Sequence, residues 1–516
     1  MAAALMTTAA PTAAPASRLG RALLAAALLL ALLGALNGIA APWENGLRGE
    51  NAAVYEDAFV RSHLRHGFGV THGAPAFAYT ADGVVHCSWH WHHPPLYPLY
   101  LTAWAFVFGQ HEWVLRLAQL VAFLPGIAAL YDLLRRALRP TLAGAAALLF
   151  ATAPLIGYFG PMVVHDGAVL SLGLCTAAMF WRWVEAPSRG RFAAVAALFF
   201  VTTQLDFLGQ FWGVALFLMA LAAPARARAV RAVLLLLPVS LGSLLLTVLH
   251  YGTFLGGPLA FVRGMLAVTG QSHDRSPSWD ELADATGLMM TGYGAWPCWA
   301  LAGLGLAIAV ARRAPAQRRA LWFGRTLWFG LALAVPGVAS SLFSLRHYVD
   351  HVFWSMAAMA GVAVLAAIPF ATAVEWLQTG ARRLRLPAAL LLAATAGAVA
   401  HGTVTVHALV ARFATTDASF PAMVADASDL VRGAIIALTN REVPMRPYLP
   451  GLMFLGGVRT ATDLDLWMEF GRSRGMHGEV AFVLDPREAD AGLVARLEQL
   501  AAPQRLEHVT VFRFRP

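Results

Sequence analysis

Apolar runs long enough to approach a membrane crossing follow one another from residue 21 to residue 409, separated by short polar connections. A hydrocarbon core about 30 Å thick needs a helix of about 20 residues. On that basis the pattern predicts eleven helices, at 21–41, 113–134, 141–157, 168–184, 192–205, 207–223, 232–250, 287–310, 324–344, 352–374 and 387–409. One stretch between the first and the second breaks the rule. From Asn51 to His66, apolar and charged residues alternate at steps of three and four, with Val54, Ala58, Arg61 and Arg65 along one edge. This predicts an amphipathic helix lying on the membrane surface.

The pattern changes again after about residue 410. Charged residues become frequent and the apolar runs shrink to strand length at 434–439, 452–457, 480–485 and 509–514. Between the last two lies ADAGLVARLEQL, with helical spacing of its apolar positions. The expected architecture is an α-helical polytopic membrane domain over 1–409, with a first outward loop at 42–112, followed by a small α/β domain over 410–516. No Gly-rich phosphate loop opens a helix of that tail, so no chemistry is assigned to it.

Composition agrees with a membrane protein: of 516 residues, 58% are hydrophobic and 13% charged, against about 25% charged in an average soluble domain. The net charge of +9 rests wholly on arginine, since the sequence has no lysine. The arginines cluster on every second connection, at Arg135/Arg136/Arg139, Arg189/Arg191, Arg226/Arg228/Arg231, Arg312/Arg313/Arg318/Arg319 and Arg382/Arg383/Arg385. By the positive-inside rule those connections face the cytoplasm, so the basic balance concerns orientation and not nucleic acid. The loops at 42–112, 157–167, around 206, 251–288 and 345–351, and the tail, then face outward. Arg18 and Arg21 before the first apolar run resemble a signal leader. With so many spans following, that run is read as a retained first helix. Cys87, Cys175 and Cys298 lie far apart and form neither a CxxC pair nor a disulfide framework.

Chemistry is expected in the outward loops, where polar residues are dense for so apolar a chain. The first carries Glu44, Glu50, Glu56 and Asp57; carboxylates near a helix start also serve as caps or solvated charges. The second places His165 and Asp166 where a span re-enters the membrane, a costly position for ionisable groups. Capping of that helix is the plainer role for Asp166. Asp206 sits in a tight connection between two apolar runs, and Arg346 and His347 stand on the side where arginine is otherwise scarce, which suggests an anionic partner.

The stretch CSWHWHHPPLYPLYLTAWAFVFG, residues 87–109, admits two readings. A zinc site could be drawn from His86, His90, His92 and His93, but the prolines make the segment extended and no carboxylate is near in sequence. The alternative is an interfacial segment, with PPLYPLYLTAWAFVFG as a helix along the membrane and its tryptophans and tyrosines at headgroup level.

These motifs, taken in order, resemble the polytopic GT-C glycosyltransferases that use polyprenyl-phosphate sugars, including protein O-mannosyltransferases and lipid A aminoarabinose transferases. The resemblance rests on the acidic first loop leading into an arginine-bearing helix (Glu50 to Arg61), HHPPLYPL (92–99), FGQHEWVLRL (108–117), YFGPMVVHD (158–166), LDFLGQFW (205–212) and RHYVDH (346–351). It implies an inverting transfer of a sugar from a polyprenyl-phosphate donor to a lipid, glycan or protein acceptor. The active site and tail would be extracytoplasmic, in a bacterial inner or plasma membrane. Glu50 is then the first candidate base, with Asp57 and Asp166 as further catalytic carboxylates. His93, His165, Asp206, Arg263, Arg346 and His347 are candidate substrate contacts, with Arg275 a possible helper from the same loop as Arg263. No metal or other cofactor is expected, though a divalent ion is compatible with such a site. A transporter or lipid flippase is the alternative, disfavoured because the ionisable residues sit at outer helix ends rather than mid-membrane. A membrane scaffold for the outer domain would leave the outward carboxylates unexplained.

Overall fold

A computed structural model describes residues 18–39, 51–81, 84–90, 93–273, 277–311, 317–343, 345–350, 352–380, 382–414, 436–439, 446–449, 452–455, 458–473, 480–486, 489–506 and 509–514. The chain falls into two compact units, one drawn from residues 1–39, 92–97 and 116–410, the other from 40–91, 98–115 and 411–516.

In the first unit, helices occupy all eleven segments in which the sequence predicts them. Among the described residues, seven helices are long and apolar enough to cross a membrane: Arg18–Leu36, Glu112–Ala137, His165–Glu185, Arg226–Gly252, Gly324–Phe343, Trp354–Gln378 and Arg382–Ala411. An eighth span results if Trp279–Gly292 and Trp296–Ala311, which meet at 96°, count as one broken crossing. The remaining three, Pro140–Thr152, Arg189–Leu205 and Phe211–Leu221, are shorter than a full span. The expected single helix at 141–157 stops at Thr152 and restarts as Pro154–Phe159, because Pro154 lacks the amide needed to continue the ladder. The helix expected at 207–223 opens with a tighter 3₁₀ turn, Phe207–Gln210, before Phe211–Leu221.

The Arg226–Gly252 region shows how the membrane sorts a helix. Leu241, Leu245 and Leu249 form one exposed stripe, while Ser243, Thr247 and Tyr251, at the same spacing on another face, are buried. The buried polar groups find partners inside: Gln204 Nε2 donates to the Ser243 carbonyl at 2.7 Å and to Thr247 Oγ1 at 3.2 Å. Leucine outward and hydroxyl inward is the order that lipid dictates, since hydrocarbon offers no hydrogen-bond partner.

The arginine-rich ends are joined by ion pairs. Asp132 accepts from Arg135 Nε at 3.0 Å and from Arg182 Nε at 2.7 Å, while Arg136 reaches Glu185 at 2.7 Å. This ties the end of Glu112–Ala137 to the end of His165–Glu185. The 21 residues of the latter helix set His165 about 30 Å from that cluster.

In the second unit the predicted amphipathic helix spans Asn51–His66. Strands β1 (Ala76–Ala81) and β2 (Val84–Trp89) form an antiparallel hairpin after it. Ser62 Oγ accepts from the Ala78 amide at 3.0 Å, and His63 Nε2 donates to the Ala74 carbonyl at 2.9 Å, so the helix and the hairpin are bonded together. The tail contributes β3 (Ile436–Thr439), β4 (Arg446–Leu449), β5 (Leu452–Leu455), β6 (Val480–Leu484), β7 (Gln504–Arg505) and β8 (Thr510–Phe514). They form one sheet in the order β4-β5-β3-β6-β8-β7, parallel across β5-β3-β6 and antiparallel at both sides. Helices Ala461–Ser473 and Ala491–Leu500 cover it, with Leu464, Met468, Leu493 and Leu497 packed on Leu438, Phe482 and Phe512. The four expected strands and the expected last helix are present within a few residues of their sequence positions. Strands β4 and β7 and helix Ala461–Ser473 are additional.

Candidate active site

Three segments far apart in sequence deliver polar side chains to one place in the first unit. His93 precedes the buried pair Pro94 and Pro95, which lead into helix Leu96–Phe108. His165 and Asp166 form the first residues of helix His165–Glu185. Val164, and not Asp166, occupies the cap position there, and no side chain caps the helix. Asp206 closes helix Arg189–Leu205 in extended conformation and at the same time caps the following 3₁₀ turn, its Oδ1 accepting from the Leu208 amide at 2.7 Å.

The other oxygen of Asp206 is shared. His93 Nδ1 is hydrogen-bonded directly to Asp206 Oδ2, and His165 Nε2 lies 3.4 Å from the same oxygen. The two imidazole centroids are 4.2 Å apart. Asp166 Oδ2 is 3.6 Å from His165 Nε2. His165, Asp166 and Asp206 are 7%, 7% and 2% exposed, so three buried ionisable groups cluster beside the part-exposed His93, which is costly unless they serve one another or a ligand. Burial alone would raise the Asp206 carboxyl; the facing imidazoles of His165 and His93 and the Leu208 amide outweigh it and hold the group down at about 2.

The surrounding frame fixes these positions. Tyr251 donates its hydroxyl to the His93 carbonyl at 2.6 Å. Tyr97 donates to Gln119 Oε1 at 2.8 Å, and Gln119 Nε2 donates to the Gly160 carbonyl at 2.8 Å, joining the His93 segment to the turn before His165. A side chain at Gly167 would place its Cβ 2.2 Å from the Gly160 oxygen and 2.5 Å from Gln119 Nε2. The helix start can therefore approach only because residue 167 has none. Asp166 also lines a small pocket with Leu170, Leu208, Trp212, Ser340 and Trp354.

The sequence-predicted residues divide accordingly. His93, His165, Asp166 and Asp206 come together. Arg263 is exposed on helix Pro258–His273. Arg346 and His347 lie on the short helix Leu345–Asp350, with side chains outside the described set. Glu50, Arg275 and His92 lie outside the described residues. In the second unit Asp57 is buried and paired with Arg61, whose Nε lies 2.9 Å from Asp57 Oδ2, and Glu56 beside it is buried too. His90, one of the four histidines of the local zinc reading, packs against Tyr55 and Phe59 at 5.6 and 5.3 Å between ring centroids. Sequence reasoning missed Gln119, Gln204 and Tyr251. The signal was a single amide inside an apolar run, and the spacing of four that sets Ser243, Thr247 and Tyr251 on one face.

Comparison with known proteins places this geometry. Residues 92–251 match the family profile described as dolichyl-phosphate-mannose-protein mannosyltransferase, a span that holds His93, His165, Asp166, Asp206 and Tyr251. No curated protein sequence matches the chain. Among solved structures, ArnT from Cupriavidus metallidurans bound to undecaprenyl phosphate is similar at 16% identity with a TM-score of 0.57, covering 96% of this chain and 97% of that one. The oligosaccharyltransferase of Archaeoglobus fulgidus tethered to an acceptor peptide is similar at 12% identity and a TM-score of 0.57, covering 94% of this chain and 72% of that one. The same organism's AglB in complex with an inhibitory peptide and a dolichol-phosphate gives 12% and 0.54, covering 94% and 72%. The resemblance read from the sequence holds at the level of architecture: the chain is an integral membrane protein with the fold of the GT-C glycosyltransferases.

Proposed function

We propose that this protein is a membrane glycosyltransferase that moves a sugar from a polyprenyl-phosphate donor to a lipid, glycan or protein acceptor. The observation that carries the reading is the convergence of His93, His165, Asp166 and Asp206, within the stretch that matches the mannosyltransferase profile, at the ends of apolar helices. A donor with a polyprenyl tail resides in the bilayer, so the enzyme must bring its polar groups to the membrane surface and its apolar groove into the lipid. In the transfer, an acceptor O–H or N–H attacks the anomeric carbon, the anomeric C–O bond breaks, and polyprenyl phosphate departs. A carboxylate takes the acceptor's proton, and cationic or donor groups stabilise the leaving phosphate. Glu50 and Asp57 of the first loop and Asp166 are the proposed carboxylates. Arg346 and His347, with Arg263, are the proposed phosphate contacts. Residues 1–409 form the catalytic membrane domain in this reading, and 410–516 an α/β domain on the same face as the first loop.

Support for the donor class comes from ArnT and AglB, which are described with undecaprenyl phosphate and dolichol-phosphate. The direct experiment incubates the purified protein with polyprenyl-phosphate sugars and follows free polyprenyl phosphate by mass spectrometry. Release that depends on an acceptor supports the proposal, and no release with any donor overturns it. The arginine alternation supports an extracytoplasmic site, and a bacterial inner or plasma membrane is the proposed setting. In a background lacking Cys87, Cys175 and Cys298, Arg65→Cys and Glu498→Cys, both exposed, should react with an impermeant thiol reagent from outside. Reaction only from the cytoplasmic side would reverse the orientation.

A further inference from the structure

We propose that His93, His165 and Asp206 form a site for one divalent transition-metal ion, zinc in the first place. The proposal rests on the side-chain geometry and not on the glycosyl-transfer reading. His93 Nδ1, His165 Nε2 and Asp206 Oδ2 all lie within 4.8 Å of one another, and among the described residues they are the one such group of metal-binding side chains. Two ligands about 2.05 Å from a tetrahedral ion stand about 3.3 Å apart. His165 Nε2 and Asp206 Oδ2, at 3.4 Å, already have that separation. The direct His93–Asp206 hydrogen bond has to open to admit the ion, so that His93 Nδ1 and Asp206 Oδ2 both turn to the metal.

The ligands are preset by contacts that a plain ion-pair cluster does not need. Asp206 Oδ1 is occupied by the Leu208 amide, which leaves Oδ2 as its single outward donor atom. Tyr251 fixes the main chain at His93, and the Tyr97–Gln119–Gly160 chain fixes the turn ahead of His165. Two neutral imidazoles and one carboxylate form a borderline donor set, suited to zinc, cobalt or iron and poor for magnesium or calcium, which take mainly oxygen. Three protein ligands leave the fourth position open, the arrangement of sites that polarise a bound oxygen rather than of closed structural sites. Asp166, with Oδ2 3.6 Å from His165 Nε2, stands beside the ligand set without belonging to it. The open position would accept water or an oxygen of a phosphate or hydroxyl ligand.

The test uses the full-length protein in detergent, stripped with a chelator and reloaded with Zn²⁺ or Co²⁺. One ion per chain by mass spectrometry is expected. With cobalt, the intense visible bands of a four-coordinate centre should appear and be abolished by zinc. Asp206→Asn keeps an oxygen for the Leu208 amide while losing the anionic ligand, and His165→Ala removes a nitrogen. Each should weaken binding at least about 100-fold, more than the loss of an outer contact to a metal ligand costs. His250→Ala and His401→Ala, histidines outside the group, should leave it unchanged. If a variant misfolds, the wild-type cobalt spectrum and the zinc stoichiometry decide by themselves. No stoichiometric zinc in the wild type, a six-coordinate cobalt spectrum, or full retention in Asp206→Asn and His165→Ala together would overturn the site. None of these readouts depends on turnover, so failure of the transferase reading and failure of the metal site are separable.

Discussion

The Leu208 amide donates to Asp206 Oδ1 at 2.7 Å, and this one bond makes Asp206 both the end of a membrane helix and the anchor of the turn after it. The turn is tight enough that Gly209 packs directly on the helix it leaves. A Cβ at residue 209 would stand 2.3 Å from the Thr202 oxygen and 2.9 Å from the Thr203 Cα, both backbone atoms that cannot swing away. Gly209→Ala should therefore open the turn and displace Asp206, at a cost of about 1–3 kcal/mol of overpacking strain. Thermal unfolding of the purified protein would read it as a lower midpoint, with Gly190→Ala, which meets no atom within 4 Å, as control. Equal midpoints for the two variants would show that the turn yields freely.

Arg346 supplies a second test. It stands in the proposed outward turn at 345–351, on helix Leu345–Asp350, where the charge pattern otherwise avoids arginine. If it holds the donor phosphate, Arg346→Lys should weaken donor binding by losing the two-pronged fork, and Arg346→Ala should weaken it further by losing the charge. Binding of a polyprenyl phosphate to the purified variants is the measurement. Unchanged affinity in Arg346→Ala would remove it from the phosphate site.

Much of the fold was legible because lipid imposes one rule on every span. Apolar length locates the helices whatever they pack against, and the period of the Asn51–His66 stretch marks an amphipathic helix with its observed ends. The breaks were less visible. Pro154 cuts the third predicted helix, yet Pro125 and Pro336 sit inside continuous ones, so proline alone does not say which helix stops. Of the site, the unusual residues were legible one by one and their meeting was not. His93 and Asp206 are 113 residues apart, and the local histidine set His86, His90, His92 and His93 shows no carboxylate partner because sequence shows only neighbours. The carboxylate that joins His93 arrives through tertiary packing.

His63 gives a pH-dependent prediction outside the membrane spans. It is buried in the Asn51–His66 helix, with Nε2 on the Ala74 carbonyl at 2.9 Å and Nδ1 2.9 Å from Thr102 Oγ1. Burial lowers its basicity by more than the carbonyl bond raises it, so the folded pKa lies below the ordinary value of 6.5. The unfolded chain then binds the proton first as pH falls. The neutral ring's contribution is intact above about 6.5 and is lost as pH drops from there toward the folded value. Unfolding midpoints should fall between pH 7.5 and 5.5 in the wild type, and the His63→Gln variant should show a smaller slope. An identical slope in both would assign the acid sensitivity elsewhere.

The decisive prediction concerns the carboxylates. A general base loses its function when its charge is removed at constant shape, and the typical cost is about 10²–10⁴-fold in rate. Glu50→Gln is expected to show that loss with donor binding retained, because a carboxylate repels a phosphate and contributes nothing to holding it. Asp166 is buried beside His165, so Asp166→Asn should also slow turnover, by less if it orients the acceptor rather than taking its proton. Asp57 differs from both. Its Oδ2 is 2.9 Å from Arg61 Nε, and a carboxylate already engaged by a guanidinium is a weaker base. Asp57→Asn should therefore cost less in rate than Glu50→Gln, and Arg61→Gln should cost little unless Asp57 is the base, in which case freeing it would change turnover strongly. The assay is turnover at saturating lipid donor, paired with donor binding, for all four variants. A large loss confined to Asp57→Asn would move the base about two turns into the Asn51–His66 helix, and full activity in Glu50→Gln, Asp57→Asn and Asp166→Asn alike would sink the carboxylate mechanism.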